Sequence, residues 1–141
     1  MRIVAGRYGG RAIRTAPGLA TRPTTDRVRE AWASTTASLR DGGFAGARVL
    51  DAFAGSGALG LEALSRGAAR VVFCENNRQA LEALNENRAA LADATELSTV
   101  CSLDVFTPTA IRQLMRLGPY DLVILDPPYA TLLGKIHRLL R

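Results

Sequence analysis

Short apolar runs alternate with helix-like segments from residue 48 onward. Four runs have the length and hydrophobicity of strands: about 48–53, 70–75, 97–103 and 120–125. The segments between them have the spacing of amphipathic helices: about 57–66, 77–92 and 109–117. Near-continuous apolar strands are typical of a parallel sheet that is covered on both faces. The alternation therefore predicts a doubly wound α/β sheet, whose ligands bind at the carboxyl ends of the strands.

The first forty residues follow a different pattern. Two short runs on either side of Tyr8-Gly9-Gly10 predict a hairpin over about 3–14, because glycine supplies the positive φ of a hairpin turn. A lone hairpin is marginally stable in water, so it should pack on the rest of the protein or on a partner. We expect residues 1–40 to form a basic extension and residues 41–141 to form the α/β domain.

A helix is predicted after a proline-containing linker at about 17–23. Thr25 and Asp26 supply the chemistry of a helix start, and the helical pattern continues to about Leu39. Its expected apolar face comprises Val28, Trp32, Thr35 and Leu39. Trp32 is expected to anchor packing rather than to stack on a nucleic-acid base.

Positive charge is concentrated near the amino terminus. Residues 1–40 carry a net charge of +6, and the remaining residues carry −1. Guanidinium groups bind phosphates in a bidentate way, so we expect a nucleic-acid partner. A solvated basic surface is the alternative, since a bias toward arginine affects the whole chain: 17 of its 18 basic residues are Arg.

Composition excludes several other classes of protein. The 141 residues are 48% hydrophobic, enough for the core of one domain. No apolar run approaches the roughly 20 residues of a membrane helix, and no signal-peptide pattern is found, so a cytoplasmic protein is expected. Cys74 and Cys101 lie in strand-like runs and are expected to be buried, reduced thiols. No Cys/His cluster suggests a metal site.

A glycine-rich turn follows the first strand of the alternating region. Gly55, Gly57 and Gly60 match G-x-G-x-x-G, which lets a backbone approach a bound nucleotide. Glu75 lies at the end of the next apolar run, where nucleotide-binding folds place an acid for ribose hydroxyls. Together they predict a nucleotide-type cofactor. A tight strand–helix turn that binds nothing is the alternative.

Asp51 distinguishes between the candidate cofactors. A dinucleotide places its pyrophosphate over the glycine turn, where a preceding carboxylate adds unfavourable charge. S-adenosylmethionine has no phosphate, and its sulfonium and ammonium groups both gain from a nearby carboxylate. Asp51 therefore favours S-adenosylmethionine over NAD. An N-cap or Asx-turn role for Asp51 is the alternative.

The fourth strand ends in Asp126-Pro127-Pro128-Tyr129. The prolines fix the backbone and lack N–H groups, so carbonyl oxygens and the Asp126 carboxylate remain as a rigid set of acceptors. Such acceptors can orient an exocyclic amine so that its lone pair faces a methyl donor. Tyr129 can stack on the base. An ordinary proline-rich turn is the alternative.

These motifs together resemble a known family. The segments that carry the resemblance are Asp51–Gly57, Asp126–Tyr129, Arg22–Ala31 and Gly60–Ala68. The chain resembles, over nearly its whole length, the RsmD family, which methylates N2 of one guanine in 16S ribosomal RNA. The resemblance implies a Rossmann-like class I S-adenosylmethionine-dependent methyltransferase fold with a mostly parallel sheet, an N-terminal β-hairpin and a helix.

The resemblance also implies roles for individual residues. Those implied to bind S-adenosylmethionine are Asp51, Phe53, Gly55, Gly57, Glu75 (ribose) and Asp104 (adenine). Those implied to be catalytic, against the target amine or base, are Asp126, Pro127 and Tyr129. The basic hairpin and the Arg22–Glu30 stretch are implied to contact 16S rRNA or a pre-30S particle, with five candidate contacts: Arg7, Arg11, Arg22, Arg27 and Arg29.

Members of the family continue with further strands, so we expect C-terminal strands to be missing and the α/β domain to be partial.

The resemblance leaves other functions open. A DNA amino-methyltransferase acting on adenine N6 or cytosine N4 is one alternative, because the acceptor set also suits those amines. A catalytically silent module that binds cofactor or RNA is another, and an NAD-dependent oxidoreductase is the least favoured. A monomer without membrane association is expected.

Overall fold

A parallel sheet of four strands forms the centre of the protein. The computed structural model describes residues 1–16 and 25–127. Its elements are α1 (Asp26–Ser38), β1 (Arg48–Asp51), α2 (Ala58–Ser65), β2 (Arg70–Cys74), α3 (Arg78–Ala90), β3 (Ser98–Cys101), α4 (Pro108–Leu117) and β4 (Leu122–Ile124). Every strand and helix predicted between residues 25 and 127 is present, with ends that differ from the prediction by at most two residues.

The order of the strands is β3-β2-β1-β4 and all neighbours are parallel. Because β1 lies between β2 and β4, the direction in which the chain adds strands reverses beside β1. In doubly wound sheets the crevice at this reversal is where ligands bind. Asp51 is paired with Phe73 on one side and with Ile124 on the other, so it lies at the centre of the carboxyl edge.

Apolar side chains cover both faces of the sheet. Val49 and Phe73 pack with residues of α2 and α3 in the larger core cluster, whereas Leu50 and Val72 pack with Leu114 of α4 in the smaller one. This two-sided burial explains why the strands are nearly continuous apolar runs. In the described ranges, no helix is long and apolar enough to span a membrane.

Residues 1–16, called the N-terminal segment below, form the predicted hairpin only in part. One antiparallel bridge joins Arg2 and Ala12, and Gly10 N–H donates to the carbonyl of Ile3 at 2.8 Å. Ile3 and Tyr8 are buried in the same core as the sheet. The pairing is incomplete because several backbone N–H groups of the segment donate to side chains of α2 and α3 instead of to a partner strand.

Buried polar groups of α2 hold the N-terminal segment in place. The carboxylate of Glu62 has no solvent exposure and accepts from Val4 N–H at 2.9 Å and from Ala5 N–H at 3.2 Å. Arg66 neutralises it through a 2.9 Å contact. The hydroxyl of Ser65 donates to the carbonyl of Ala5 at 2.6 Å. The polar residues of the Gly60–Ala68 motif therefore act as a docking surface for the N-terminal segment.

Helix α1 begins as predicted, but its buried face differs from the prediction. Thr25 caps the helix by accepting from Val28 N–H. Trp32 packs on Phe44 with 5.8 Å between ring centroids, which confirms its packing role. Val28 and Leu39 are 55% and 80% exposed, so the predicted apolar face is wrong.

The side of α1 that faces the protein carries Arg29 and Ala33. The guanidinium of Arg29 donates to the carbonyl of Arg2 at 2.9 and 2.7 Å and also contacts Asp26. Since Arg29 has no exposed surface, its predicted role as an RNA contact is wrong for this conformation. It joins α1 to the N-terminal segment instead.

The burial of Glu62 generates a stability prediction. We expect Glu62→Ala to lower the free energy of unfolding by about 3 kcal/mol, because it leaves two backbone N–H groups without their acceptor and removes one of the two carboxylates that pair with Arg66. Glu82→Ala is the matched control, since Glu82 also pairs with an arginine one helical turn away but is 65% exposed. Urea unfolding measures both changes. Equal, small losses would contradict the anchoring role of Glu62.

Candidate cofactor and active site

Four carboxyl groups lie along one edge of the sheet, as the sequence predicts. Asp51 ends β1 and Glu75 directly follows β2, while Asp104 and Asp126 lie within three residues of the ends of β3 and β4. Asp126 and Glu75 are near enough to Asp51 to affect its titration. Asp51, Glu75 and Asp126 therefore form one electrostatic group at the crevice between β1 and β4.

Asp51 is the buried member of this group. It is 1% exposed, and its carboxyl oxygen accepts from Gly60 N–H at 3.1 Å. Burial, with smaller contributions from the negative charges of Asp126 and Glu75, raises the pKa of Asp51 to about 7. The N–H groups of Gly60 and Phe53 oppose this shift. The charge of Asp51 is therefore sensitive near neutral pH to any cation that enters the crevice.

The glycine turn is attached to the strands on both sides of β1. Ala52 N–H donates to the carbonyl of Ile124 at 3.1 Å, and Ala54 N–H donates to the carbonyl of Cys74 at 3.0 Å. Gly57 closes the turn by donating to the carbonyl of Ala54 at 2.8 Å. The backbone of the turn is therefore positioned by the sheet itself.

The three glycines of the turn differ in what an added side chain would contact. A Cβ added to Gly57 would lie 2.5 Å from Leu84 Cδ1, and one added to Gly60 would lie 2.4 Å from Phe73 Cε1. These two glycines allow α2 to pack closely on α3 and on the sheet. Gly55 differs, because no atom lies within 4 Å of an added Cβ. Its open side is the part of the turn that a ligand can approach.

Glu75 holds the turn through its carboxylate. One oxygen accepts from Gly55 N–H at 2.8 Å, and the other accepts from Asn76 and Asn77 N–H at 3.0 and 2.9 Å. A carboxylate has about four lone-pair positions, so these three donors leave capacity for one hydroxyl group. Glu75 can thus hold the turn and still accept from a ligand.

Two aromatic rings lie beside the acids. Phe53 and Phe106 are in contact, with 5.6 Å between their centroids. Asp104 accepts from Phe106 N–H at 3.0 Å, which fixes the loop after β3. Sequence reasoning missed Phe106; an aromatic residue two positions after the acid that follows a strand was the available signal. The pair supplies an apolar, aromatic surface at the carboxyl edge.

The predicted catalytic residues are described only in part. Asp126 is exposed and Pro127 is half-buried at the end of β4, next to the crevice. Tyr129 lies outside the described residues, as does Arg22. Nothing in the described structure therefore bears on these two predicted roles.

The predicted RNA contacts are not gathered at the acidic edge. Arg7 donates to Asp93 at 3.0 Å, and Arg11 donates to the carbonyl of Ala90 at 3.0 Å. These partners lie at or beyond the carboxyl end of α3, which is the opposite edge of the sheet from the four acids. Arg7 and Arg11 remain exposed, as does Arg27 at the start of α1.

With this geometry in view, comparison with known proteins identifies the family. The model of the family described as "Conserved hypothetical protein 95" matches residues 1–141. The chain belongs to this family. It is 39% identical over 132 residues to "Ribosomal RNA small subunit methyltransferase D" of Escherichia coli K12, a match that covers 92% of this chain. The resemblance to the RsmD family is thereby confirmed.

The relatives are longer than this chain. It covers 60% of the Escherichia coli relative and 67% of a Bacillus subtilis relative that is 36% identical over 129 residues. The chain therefore spans about two thirds of the length of these relatives.

Solved structures support the predicted fold class. A protein of Thermus thermophilus superposes with a TM-score of 0.72 at 32% identity, covering 99% of this chain and 76% of that one. A putative methyltransferase of Escherichia coli superposes with a TM-score of 0.73 at 37% identity, covering 99% of this chain and 71% of that one. The Rossmann-like methyltransferase fold is confirmed.

The raised pKa of Asp51 generates a prediction about pH. Between about pH 4 and pH 7 the native state holds a proton that the unfolded chain has released, so the free energy of unfolding should fall as pH rises through this range. The fall should be at most about 4 kcal/mol and should level off above pH 7. Asp51→Asn should have a flatter profile, because its amide does not titrate.

Urea unfolding of the ligand-free protein at several pH values measures this difference. Asp41→Asn, which alters an exposed aspartate in the loop before β1, is the control and should retain the profile of the unmodified protein. Parallel profiles for the unmodified protein and Asp51→Asn would contradict the raised pKa.

Proposed function

We propose that this protein transfers a methyl group from S-adenosylmethionine to the exocyclic N2 amine of a guanine in 16S rRNA. One observation carries the proposal. The buried Asp51 and the open side of Gly55 lie at the same crevice as Asp126 and Pro127, in a chain whose relative is named for methylation of small-subunit rRNA. A binding surface for a cationic cofactor and an acceptor set for an amine would therefore be adjacent.

The residues present fit S-adenosylmethionine. This cofactor supplies the reactive methyl group when it is bound. Glu75 has acceptor capacity for a ribose hydroxyl, and the contacting rings of Phe53 and Phe106 offer a surface for adenine beside Asp104. Gly55 allows close approach to the backbone of the turn. In our proposal, these residues together would hold the cofactor.

The charge of the crevice favours a cation over a phosphate. Asp51 is too buried for direct contact in this conformation, so its influence is through its field. A cation nearby stabilises the ionised carboxylate, and the carboxylate in turn stabilises the cation. A pyrophosphate in the same place would also meet the carboxyl groups of Glu75 and Asp126. This argues against a dinucleotide cofactor.

Asp126 and Pro127 would orient the target amine. The exposed Asp126 carboxylate can accept one N–H of the amine, and the carbonyl of Pro127 can accept the other. Two fixed acceptors turn the nitrogen lone pair toward the donor and stabilise positive charge that develops on the nitrogen. The target base has to leave its stack to reach this position.

The substrate in our proposal is 16S rRNA or a pre-30S particle in the cytoplasm, and the protein acts as a monomer. Arg27 and the exposed arginines of the N-terminal segment, Arg7 and Arg11, would contribute sequence-independent attraction to phosphates. The positions of Arg7 and Arg11, away from the acidic edge, suit contacts to a large substrate that extends around the domain. Arg22 would add to this set.

Replacing one acceptor tests the proposed chemistry. We expect Asp126→Asn to lower the rate of methyl transfer from labelled S-adenosylmethionine to unmodified 30S particles by about 100-fold. Its affinity for S-adenosylmethionine should change little, because Asp126 faces the amine. Transfer and calorimetric binding assays measure the two quantities.

Three outcomes would contradict the proposal. An unchanged transfer rate in Asp126→Asn would remove this carboxylate from the mechanism. Transfer to duplex DNA but not to 30S particles would favour a DNA amino-methyltransferase. Binding without any transfer in the unmodified protein would indicate a silent binding module.

A further inference from the structure

Asn87 is a buried amide on an otherwise apolar face of α3. It is 5% exposed and lies on the same face as Ala80, Ala83 and Leu84. A buried amide is costly unless its donors and acceptor find partners. Asn87 does find them, and its partners are backbone groups from two separate parts of the chain.

The first partner of Asn87 is the end of the N-terminal segment. Its Oδ1 accepts from Arg14 N–H at 2.9 Å, and its Nδ2 donates to the carbonyl of Arg14 at 2.9 Å. This pair of bonds resembles the pairing of two strands. Elsewhere the segment is held by Glu62 and Ser65 of α2. Glu86 and Ala90 of α3 bind the exposed side chains of Arg14 and Arg11, whereas Asn87 binds the backbone of the segment beside the glycine turn.

The second partner is the glycine turn itself. The other Nδ2 hydrogen donates to the carbonyl of Ser56 at 2.9 Å, and Ser56 lies between Gly55 and Gly57. Glu75 holds the N–H of Gly55 on one side of the turn, and Asn87 holds the carbonyl of the following residue. Both side chains therefore fix the turn, and Asn87 also binds the N-terminal segment.

We propose that Asn87 is a positioning residue that couples docking of the N-terminal segment to the shape of the glycine turn. The inference rests on the proposed function, in which this turn receives S-adenosylmethionine. When the segment is docked, Arg14 holds the amide so that Nδ2 faces Ser56. When the cofactor is bound, the ordered turn holds the amide so that it faces Arg14. Coupling between two binding events is reciprocal.

Asn87→Asp is the sharpest variant, because it changes chemistry without changing shape. The aspartate keeps an oxygen facing Arg14 N–H, but it places an acceptor opposite the carbonyls of Arg14 and Ser56. We expect its dissociation constant for S-adenosylmethionine to rise roughly ten-fold. Asn85→Asp is the matched control on the exposed side of the same helix and should stay within about two-fold.

Hydrogen exchange separates coupling from a merely structural role. In the cofactor-free Asn87→Asp protein, the amides of Arg14 and Gly57 should both exchange faster than in Asn85→Asp, while amides in the strands keep their protection. Asn87→Ala, which introduces no charge, serves as a second variant where the aspartate prevents folding. Unchanged exchange at Gly57 together with unchanged cofactor affinity would overturn the proposal.

The unmodified protein provides a test that needs no variant. Saturation with S-adenosylmethionine should slow exchange at Arg14, although Arg14 lies outside the turn. Protection of the turn without any change at Arg14 would overturn the coupling. Protection of neither would instead contradict the proposed function, and the cofactor-free comparison of Asn87→Asp with Asn85→Asp would still decide whether Asn87 positions the turn.

Discussion

The burial of one carboxyl group determines how this protein can bind a ligand. Asp51 lies at the centre of the carboxyl edge of the sheet and accepts from Gly60 in the first turn of α2. This bond fixes the start of α2 against β1, and burial raises the pKa of Asp51 to about 7. The residue therefore combines a structural bond with a charge that depends on what occupies the crevice. A cation is the ligand charge that such a group favours.

The remainder of the structure keeps the glycine turn in place around this carboxyl group. Sheet bonds to Ala52 and Ala54 fix its beginning, and Glu75 and Asn87 fix its middle. The N-terminal segment contributes through Asn87, so residues distant in sequence from the turn take part in shaping it. Burial of Ile3, Tyr8 and Ile13 in the larger core cluster keeps the segment beside the turn.

Much of the fold was predictable because it depends on local patterns. Strands buried on both faces leave near-continuous apolar runs, and a glycine such as Gly57 is required by its positive φ and by contact with Leu84. The acids at the strand ends were likewise predictable, because parallel strands bring their carboxyl ends to one edge.

The parts that could not be predicted involve buried polar groups. Arg29, Glu62 and Asn87 are buried because backbone groups far away in sequence supply their hydrogen-bond partners. Hydrophobic periodicity treats such residues as exposed and therefore predicts the wrong face for α1. Arg29 lies in a basic stretch, so its charge makes it a candidate RNA contact although it is buried. Only the tertiary structure pairs these side chains with the N-terminal segment.

A buried Asp51 that responds to a cation is the central feature of the site, and the number of protons released on cofactor binding tests this feature most directly. Calorimetric titration with S-adenosylmethionine near pH 6.5, in buffers of different ionisation enthalpy, measures that release. Because a bound cation lowers the pKa of Asp51, the unmodified protein should release a fraction of one proton more than Asp51→Asn. Equal proton release by the two proteins would contradict the account.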